Sequence, residues 1–343
     1  MAEKEQGKIN VSVDLGTSNL LIYVEGRGTV FDEPSIIAID KATGKVVSVG
    51  TAAADLVGKT HSKVEVIRPL SGGVISDIQM IREILVFTFE KLFTSGVKNI
   101  NKLLMCMPSE ITDTEREAII KLGNELGVKK TYVEEEIKAA AIGGGLNIYE
   151  PYGHMVVDIG GGTTDFGVLA LGDVVLSKST KIAGDFFDKQ IIHYAKEKHN
   201  LEIGPQTAER IKIRLASLTG DLPCDDEGAP LTAEAMGRDL MTGLPKMSVI
   251  HAEEIRNILL DCFESIKSTL IATLEITPPE LSGDLVSNGI LLTGGGSQIK
   301  GIQQYFEDIS RVKVKISSAP ENTVINGTKK LLKLDNPHYY GDY

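Results

Sequence analysis

Met155-Val156-Val157-Asp158-Ile159-Gly160-Gly161-Gly162-Thr163-Thr164-Asp165 is the stretch from which the fold is read. An apolar β-run reaches an aspartate, and a turn of three glycines and two threonines follows it. Residues 166–171 resume as a strand, turn at Gly172-Asp173 and continue over 174–176. The N-terminal part spells the same order. Ile9, Val11 and Val13 alternate with Asn10 and Ser12 and run into Asp14-Leu15-Gly16-Thr17-Ser18-Asn19. The chain resumes over 20–24, turns at 25–28 and continues over 29–31 as a hairpin. Asp14 and Asp158 lie 144 residues apart. A repeat of that length predicts two homologous lobes, each with its own core, facing a shared cleft.

A tight glycine turn exposes consecutive backbone N–H groups, and such nests bind anionic oxygens, phosphates above all. Thr17, Ser18, Asn19, Thr163 and Thr164 add side-chain donors. Asp14 and Asp158 would repel a polyphosphate, so their presence calls for a divalent cation between carboxylate and phosphate. Mg²⁺, which keeps several waters, suits that place. One such turn alone reads equally well as an ordinary β-turn with Asp and Gly in favoured positions. Two in matching context point to Mg²⁺ with a nucleoside triphosphate. A third cluster, Gly294-Gly295-Gly296-Ser297, follows the β-run 289–293. Backbone without side chains lets a flat ring or a sugar approach closely, so this cluster is expected at the nucleoside end.

The 343 residues suggest about two domains, since domains run to ~100–200 residues. Hydrophobic residues at 42% and charged ones at 24% exclude a mainly disordered chain. Acidic residues outnumber basic ones, 47 to 36, and the net charge of −11 argues against nucleic acid as a partner, which favours a basic face. Cys106, Cys224 and Cys262 are odd in number and far apart, which fits neither a disulfide framework nor a CxxC metal site and points to a reducing cytoplasm. Residues 1–8 are polar with no apolar run for a signal peptide, and no segment offers 18 uninterrupted apolar residues for a transmembrane helix. Between the strands lie amphipathic helices. Asp77 caps one carrying Ile81, Leu85, Thr88 and Leu92; Thr112 and Glu115 form a capping box before Ile119, Leu122 and Leu126; residues 253–275 make the longest. Strands mixed with such helices predict α/β layers, and the absence of a Gly/Ser- or Pro-rich linker predicts lobes joined by ordered segments.

Further segments carry a resemblance: EPS at 33–35, IRPL-x-x-GVI at 67–75, AGD at 183–185, AERIKI at 208–213, GRDLMTGLP at 237–245, TPPEL at 277–281 and LLTGGGSQIKG at 291–301. With the two Asp-x-Gly turns, the sequence resembles the actin-superfamily ATPases, and within them the MreB family of bacterial actins, from Val13 to about Leu332. The resemblance implies an α/β, actin-like ATPase fold of two duplicated RNase H-like lobes with a nucleotide cleft between them and four subdomains. These would be 8–31, 74–147 and 322–335 (IA), 32–73 (IB), 148–185 and 255–321 (IIA) and 186–254 (IIB), with a flexible tail at 336–343. It implies that Gly16, Thr17, Ser18 and Asn19 hold phosphates from one lobe, and Gly160, Gly161, Gly162, Thr163 and Thr164 from the other. Asp14 and Asp158 would hold Mg²⁺ through water. Gly184 and Asp185 would lie near the sugar, and Glu209 and Lys212, at i and i+3 on one helical face, near the adenosine with Gly294, Gly295, Gly296 and Ser297. Taken without the resemblance, Glu209 and Lys212 read as a solvated surface ion pair.

In phosphoryl transfer, positioning and electrostatics do most of the work, and a water-orienting group completes the set. The family uses a Glu in an IEEP segment and a Thr in the second phosphate turn. Here the segment reads Val133-Glu134-Glu135-Glu136-Ile137, and counting back from Ala139-Ala140-Ala141 puts the catalytic carboxylate at Glu136 with Thr163 as its partner. Ile137 stands where the family has Pro and Glu134 where it has Ile. Both departures bear on the angle and pKa of the carboxylate, so the expectation is a slow ATPase. Without the resemblance the three glutamates read as a solvated face. Val57-Gly58-Lys59-Thr60 ends like a Walker A loop but has Ala53 in the place of the first Gly, and so fails as one.

The implied function is an ATP-binding and ATP-hydrolysing filament protein controlling cell shape or motility. ATP or ADP and Mg²⁺ are its cofactors, and head-to-tail self-association with antiparallel lateral pairing is its mode of assembly. Other paralogues of the family and anionic lipid at the inner membrane face are further implied partners. For lipid, the sequence offers a hydrophobic loop at 92–97 and the group Lys329, Lys330, Leu331, Leu332 and Lys333. The departures point to a divergent paralogue, as in wall-less helical bacteria. The alternatives are a small-molecule kinase of the same superfamily, and a module that holds ATP without hydrolysing it.

Overall fold

The computed structural model describes residues 9–59, 62–93, 100–108 and 111–334. Residues 1–8, Thr60, residues 94–97 of the 92–97 loop and the 336–343 tail, each singled out in the sequence, lie outside the described residues. The chain divides into two units. One runs to Pro151 and adds residues 169–174 and those from Asn322 on; the other is Tyr152–Val168 with Val175–Glu321.

The first unit begins with β1 (Ile9–Leu15), β2 (Asn19–Val24) and β3 (Gly28–Pro34), followed by β4 (Ile37–Asp40), β5 (Val46–Val49), the single turn α1 (Thr51–Ala54) and β6 (Val64–Ile67). It continues with β7 (Leu70–Ser71), β8 (Val74–Ile75), α2 (Ile78–Leu92), β9 (Ile100–Met107), α3 (Asp113–Glu125), β10 (Lys130–Glu135) and α4 (Glu136–Gly143). The second unit holds β11 (His154–Ile159), β12 (Thr164–Ala170) and β13 (Asp173–Thr180) apart from their residues within 169–174, then α5 (Gly184–His199), β14 (Leu201–Glu202), α6 (Pro205–Leu215), β15 (Thr232–Asp239) and β16 (Pro245–His251). Then come α7 (Ala252–Ile276), α8 (Pro279–Asn288), β17 (Ile290–Thr293), α9 (Ile302–Ser310) and β18 (Val314–Ile316), and α10 (Thr323–Leu331) returns to the first unit.

The duplication expected from the two aspartate turns appears as strand order. The first unit's main sheet runs β3-β2-β1-β9-β10 and the second's runs β13-β12-β11-β17-β18. In the first, β1 pairs antiparallel with β2 and parallel with β9, and β9 is parallel to β10. In the second, β11 is parallel to β17 and β17 to β18. The turn joining β11 to β12 is far too short for a parallel crossover, so this pair is a hairpin as well. Each unit carries a smaller sheet beside the main one, β5-β4-β6 in the first and β14-β15-β16 in the second.

Alternation along β1 sets the layers. Val11 and Val13 join the core with Ile81, Leu85 and Phe89 of α2 and Ile119 of α3. Ser12 points to the opposite side, where its Oγ lies 2.7 Å from Thr328 Oγ1 of α10. The expected helix starts are present: Asp77 accepts from the N–H groups of Gln79 and Met80, and Thr112 and Glu115 form the capping box. α10 crosses α4 closely enough that a Cβ on Gly143 would collide with Thr323 O and one on Gly327 with Ala139 O. That crossing corrects the reading of residues 329–333 as a basic and apolar surface patch. Leu331 and Leu332 are each 1% exposed, because the apolar stripe of α10 packs inward. Lys330 Nζ donates to Ile142 O at 2.7 Å, and Lys329 Nζ donates to Asn326 Oδ1 at 2.7 Å and sits over the Tyr23 ring.

Cys106 and Cys262 are buried and Cys224 is exposed. Burial, first of all, pushes the Cys262 thiol up to about 11 and raises that of Cys106 well above its ordinary range. Since the thiolate is the reactive form, a maleimide at neutral pH is expected to label Cys224 alone in the native chain and all three cysteines in denaturant. Intact-mass measurement checks this, and native labelling of Cys106 would contradict the packing of β9.

Candidate functional site

In the first unit, the Asp14 turn is held by its own backbone. A Cβ on Gly16 would lie 2.7 Å from Asn19 O, so this tight reversal requires glycine. Ser35, from the EPS segment, clamps the turn: its Oγ donates to Gly16 O at 2.6 Å and its N–H to Ser18 O at 2.8 Å. Thr17 is buried, Ser18 half-buried and Asn19 exposed, with Asn19 Nδ2 donating to Asp32 Oδ1 at 3.4 Å. Asp14 is 7% exposed, and burial, with the Asp32 carboxylate adding to it, pushes its carboxyl up to about 7. A buried carboxyl beside another acid is poorly stabilised as an anion without a nearby cation, and in this respect the site fits Mg²⁺. Among the described residues, no group of three or more His, Cys, Asp or Glu forms a direct metal cage. An ion held through water fits that donor set better than one ligated directly.

Register places Asp14 beside Cys106 on β9 and Cys106 beside Glu134 on β10, one row across the sheet. Glu136 follows as the first residue of α4, half-buried. A helix N-terminus favours the ionised carboxylate. The solvated-face reading of residues 134–136 is corrected here: Glu134 is 5% exposed and paired with Lys138, at 3.3 Å between Oε2 and Nζ.

In the second unit, the glycine turn is fastened to α5. Gly160 N–H donates to Thr163 O at 2.9 Å, Gly184 N–H to Gly160 O at 3.1 Å and Asp185 N–H to Gly161 O at 2.8 Å. Thr163 Oγ1 donates to Asp165 Oδ2 at 2.7 Å, and Thr164 Oγ1 to Ile182 O at 2.7 Å. Lys212, on α6, reaches the same place, donating to Gly184 O at 3.1 Å and pairing with Asp188 at 3.0 Å. Its ion-pair partner is therefore Asp188; Glu209, one turn earlier on α6, is exposed. Asp188 was not among the residues expected from sequence. The available signal was a carboxylate one turn after Asp185, beside Phe187 on the buried face of α5. Burial pushes Asp188 up to about 6, with Glu209 and Asp185 adding to it against the opposing charge of Lys212.

The third cluster opens at Gly294 (φ 78°), and residues 295–298 form a 3₁₀ turn. A Cβ on Gly294 would collide with Asp158 Oδ1 and Ile159 O, and one on Gly296 with the Ile159 side chain. Ser297 Oγ donates to Gly294 O at 2.8 Å. Two of the three glycines are thus required by packing on the strand that carries Asp158. Gly295, with nothing nearer than 3.8 Å, is the one left open for a ligand's approach.

The family model described as MreB/Mbl protein matches residues 8–338. The cell shape-determining protein Mbl of Bacillus subtilis (strain 168) is 40% identical over 323 residues, covering 94% of this chain and 95% of that protein. Crystal structures of MreB5 of Spiroplasma citri superpose with TM-scores of 0.89 (bound to AMPPNP, 42% identity, 95% of this chain and 96% of that one) and 0.88 (bound to ADP, 41% identity, 94% and 96%). The MamK double helical filament subunit, 22% identical, shares the fold with a TM-score of 0.78, covering 96% of this chain and 99% of that one.

Proposed function

Because the chain belongs to the MreB/Mbl family, we propose that it is an ATP-hydrolysing, actin-like cytoskeletal protein that self-associates head to tail into filaments. The observation that carries this reading is the sheet built twice with an aspartate-and-glycine turn at the same place in each copy. The nucleotide-bound MreB5 structures and the name of Mbl support ATP or ADP as ligand and cell shape as the setting. The small-molecule kinase reading finds no support in any of these relatives.

The backbone amides of Gly16–Asn19 and Gly161–Thr163 bind phosphate oxygens, with Thr17, Ser18 and Asn19 as side-chain donors; the expectation that Thr163 and Thr164 donate by their hydroxyls is corrected, because those protons go to Asp165 Oδ2 and Ile182 O. Gly184, Asp185, Glu209 and Lys212 take the sugar and base side with Gly295, while Ser297, fully buried with its hydroxyl donated to Gly294 O, shapes the turn; Asp188 keeps the Lys212 ammonium fixed. Asp14 and Asp158 are the residues that would hold Mg²⁺ through water, and the ion would supply charge neutralisation for the terminal phosphates. Glu136 orients the attacking water and accepts its proton, and Thr163, whose hydroxyl donates to Asp165, is the second residue assigned to hydrolysis. Among the described residues, no helix is long and apolar enough to cross a membrane. Attachment to an anionic membrane face, co-assembly with paralogues and the four-subdomain division belong to the same proposal.

Electron microscopy and sedimentation of the purified chain with ATP-Mg²⁺, ADP or no nucleotide test it. Filaments with ATP are expected. A chain that stays monomeric at every concentration in all three states would remove the cytoskeletal reading.

A further inference from the structure

β10 ends at Glu135 and α4 begins at Glu136, with no residue between them. Glu135 occupies the N-cap place (φ −76°, ψ 136°), yet its side chain makes no cap hydrogen bond. The direction in which the chain leaves the sheet is therefore not fixed by a side-chain cap, as it is at Asp77 and Thr112. What spans the junction is an ion pair. Lys138 Nζ, in the first turn of α4, lies 3.3 Å from Glu134 Oε2 near the end of β10, and the two side chains are 4% and 7% exposed. The same ammonium lies 3.7 Å from Asp173 Oδ1.

A buried pair of this kind adds little net stability, because removing both charges from water costs about as much as their attraction returns. Apolar side chains of similar size would pack at least as well. The pair does supply geometry. It ties strand end to helix across residues 135 and 136, whose dihedral angles aim the Glu136 side chain. α10 fixes α4 independently from Ala139, which faces Gly327, to Gly143, which faces Thr323, so residues 136–138 are the part whose direction needs a separate constraint.

We propose that Glu134 and Lys138 are positioning residues for Glu136, clamping the strand-to-helix junction so that its carboxylate keeps the angle hydrolysis requires. The inference rests on Glu136 acting in hydrolysis. The test replaces the pair as a unit in the full chain, Glu134→Leu with Lys138→Met, and compares it with Lys138→Arg and Glu136→Gln. The double variant is expected to melt at or above the wild-type temperature and to bind ATP and ADP within about twofold of wild type. Its single-turnover phosphate release should fall about tenfold or more, as a displacement of ~1 Å at a reacting group can cost ~10²-fold. Lys138→Arg, which keeps the charge and the reach, should retain most of the rate. Loss of nucleotide affinity in proportion to rate would mark the pair as merely structural and overturn the proposal. Should the double variant not fold, Glu134→Gln, which keeps shape and a hydrogen-bond acceptor, gives the same readout: a several-fold slower release with unchanged affinity supports the clamp, and an unchanged rate overturns it. Unchanged release in Glu136→Gln sinks the assignment of Glu136 itself. Slowed release there beside a wild-type rate in the double variant overturns the clamp alone.

Discussion

Exchanging Glu136 for Gln is expected to slow phosphate release from ATP by ~10²-fold or more, the usual range for removing a general base, while nucleotide affinity and filament formation stay near wild type. The substitution keeps volume and leaves the first turn of α4 unchanged. It removes the ability to take a proton and the negative charge that orients water. Glu136 is half-buried, so its loss opens no cavity in the core of the first unit. If hydrolysis limits filament turnover, ATP filaments of the variant outlast those of wild type. Phosphate release followed continuously beside light scattering checks both parts. Equal rates for variant and wild type would take this carboxylate out of the reaction.

The second large effect concerns stability. Gly327→Ala places a methyl group on Ala139 O, a backbone atom that cannot rotate away. α10 and α4 must move apart, with a cost of about 3 kcal/mol, at the top of the range for overpacking. For a unit of this size, that corresponds to a fall of roughly 10 °C in its melting transition. Because α4 carries Glu136, hydrolysis should fall with it, in contrast to Glu136→Gln, where the melting temperature stays put. Gly143→Ala, from the other side of the crossing against Thr323 O, should act alike. Calorimetry that shows either variant melting with wild type would mean that the helices are not in contact as described.

Both hairpins, both aspartate turns and the capped helices were legible in the sequence, because each is a local pattern: alternation, a glycine turn, a cap three residues from its partner. The residues that pair across distance were not. Lys212 and Asp188 sit 24 positions apart on α6 and α5 and meet only because those helices pack together. Glu134 and Lys138 have helical spacing but belong to a strand and a helix, so neither periodicity shows them facing each other. Leu331 and Leu332 carried the opposite error. Flanked by lysines they read as surface, and only the crossing of α10 over α4 buries them. The glycines of the third cluster were legible as a cluster, but sequence alone did not distinguish the two that packing demands from the one it leaves open.

Neither unit is continuous along the chain: about 170 residues, all of them the second unit's except 169–174, separate Pro151 from Asn322, where the first unit's last segment begins. At ~5–20 residues per second, a ribosome needs roughly 10–30 s to cross that gap. During that time the strand holding Asp14 lacks the Thr328 hydroxyl that meets Ser12, and α4 lacks the helix that locks it. Among the described residues, the last helix to be made is thus the one that completes the first unit. A nascent chain is kept short of its working form until α10 has been made, which delays assembly until the first unit can close.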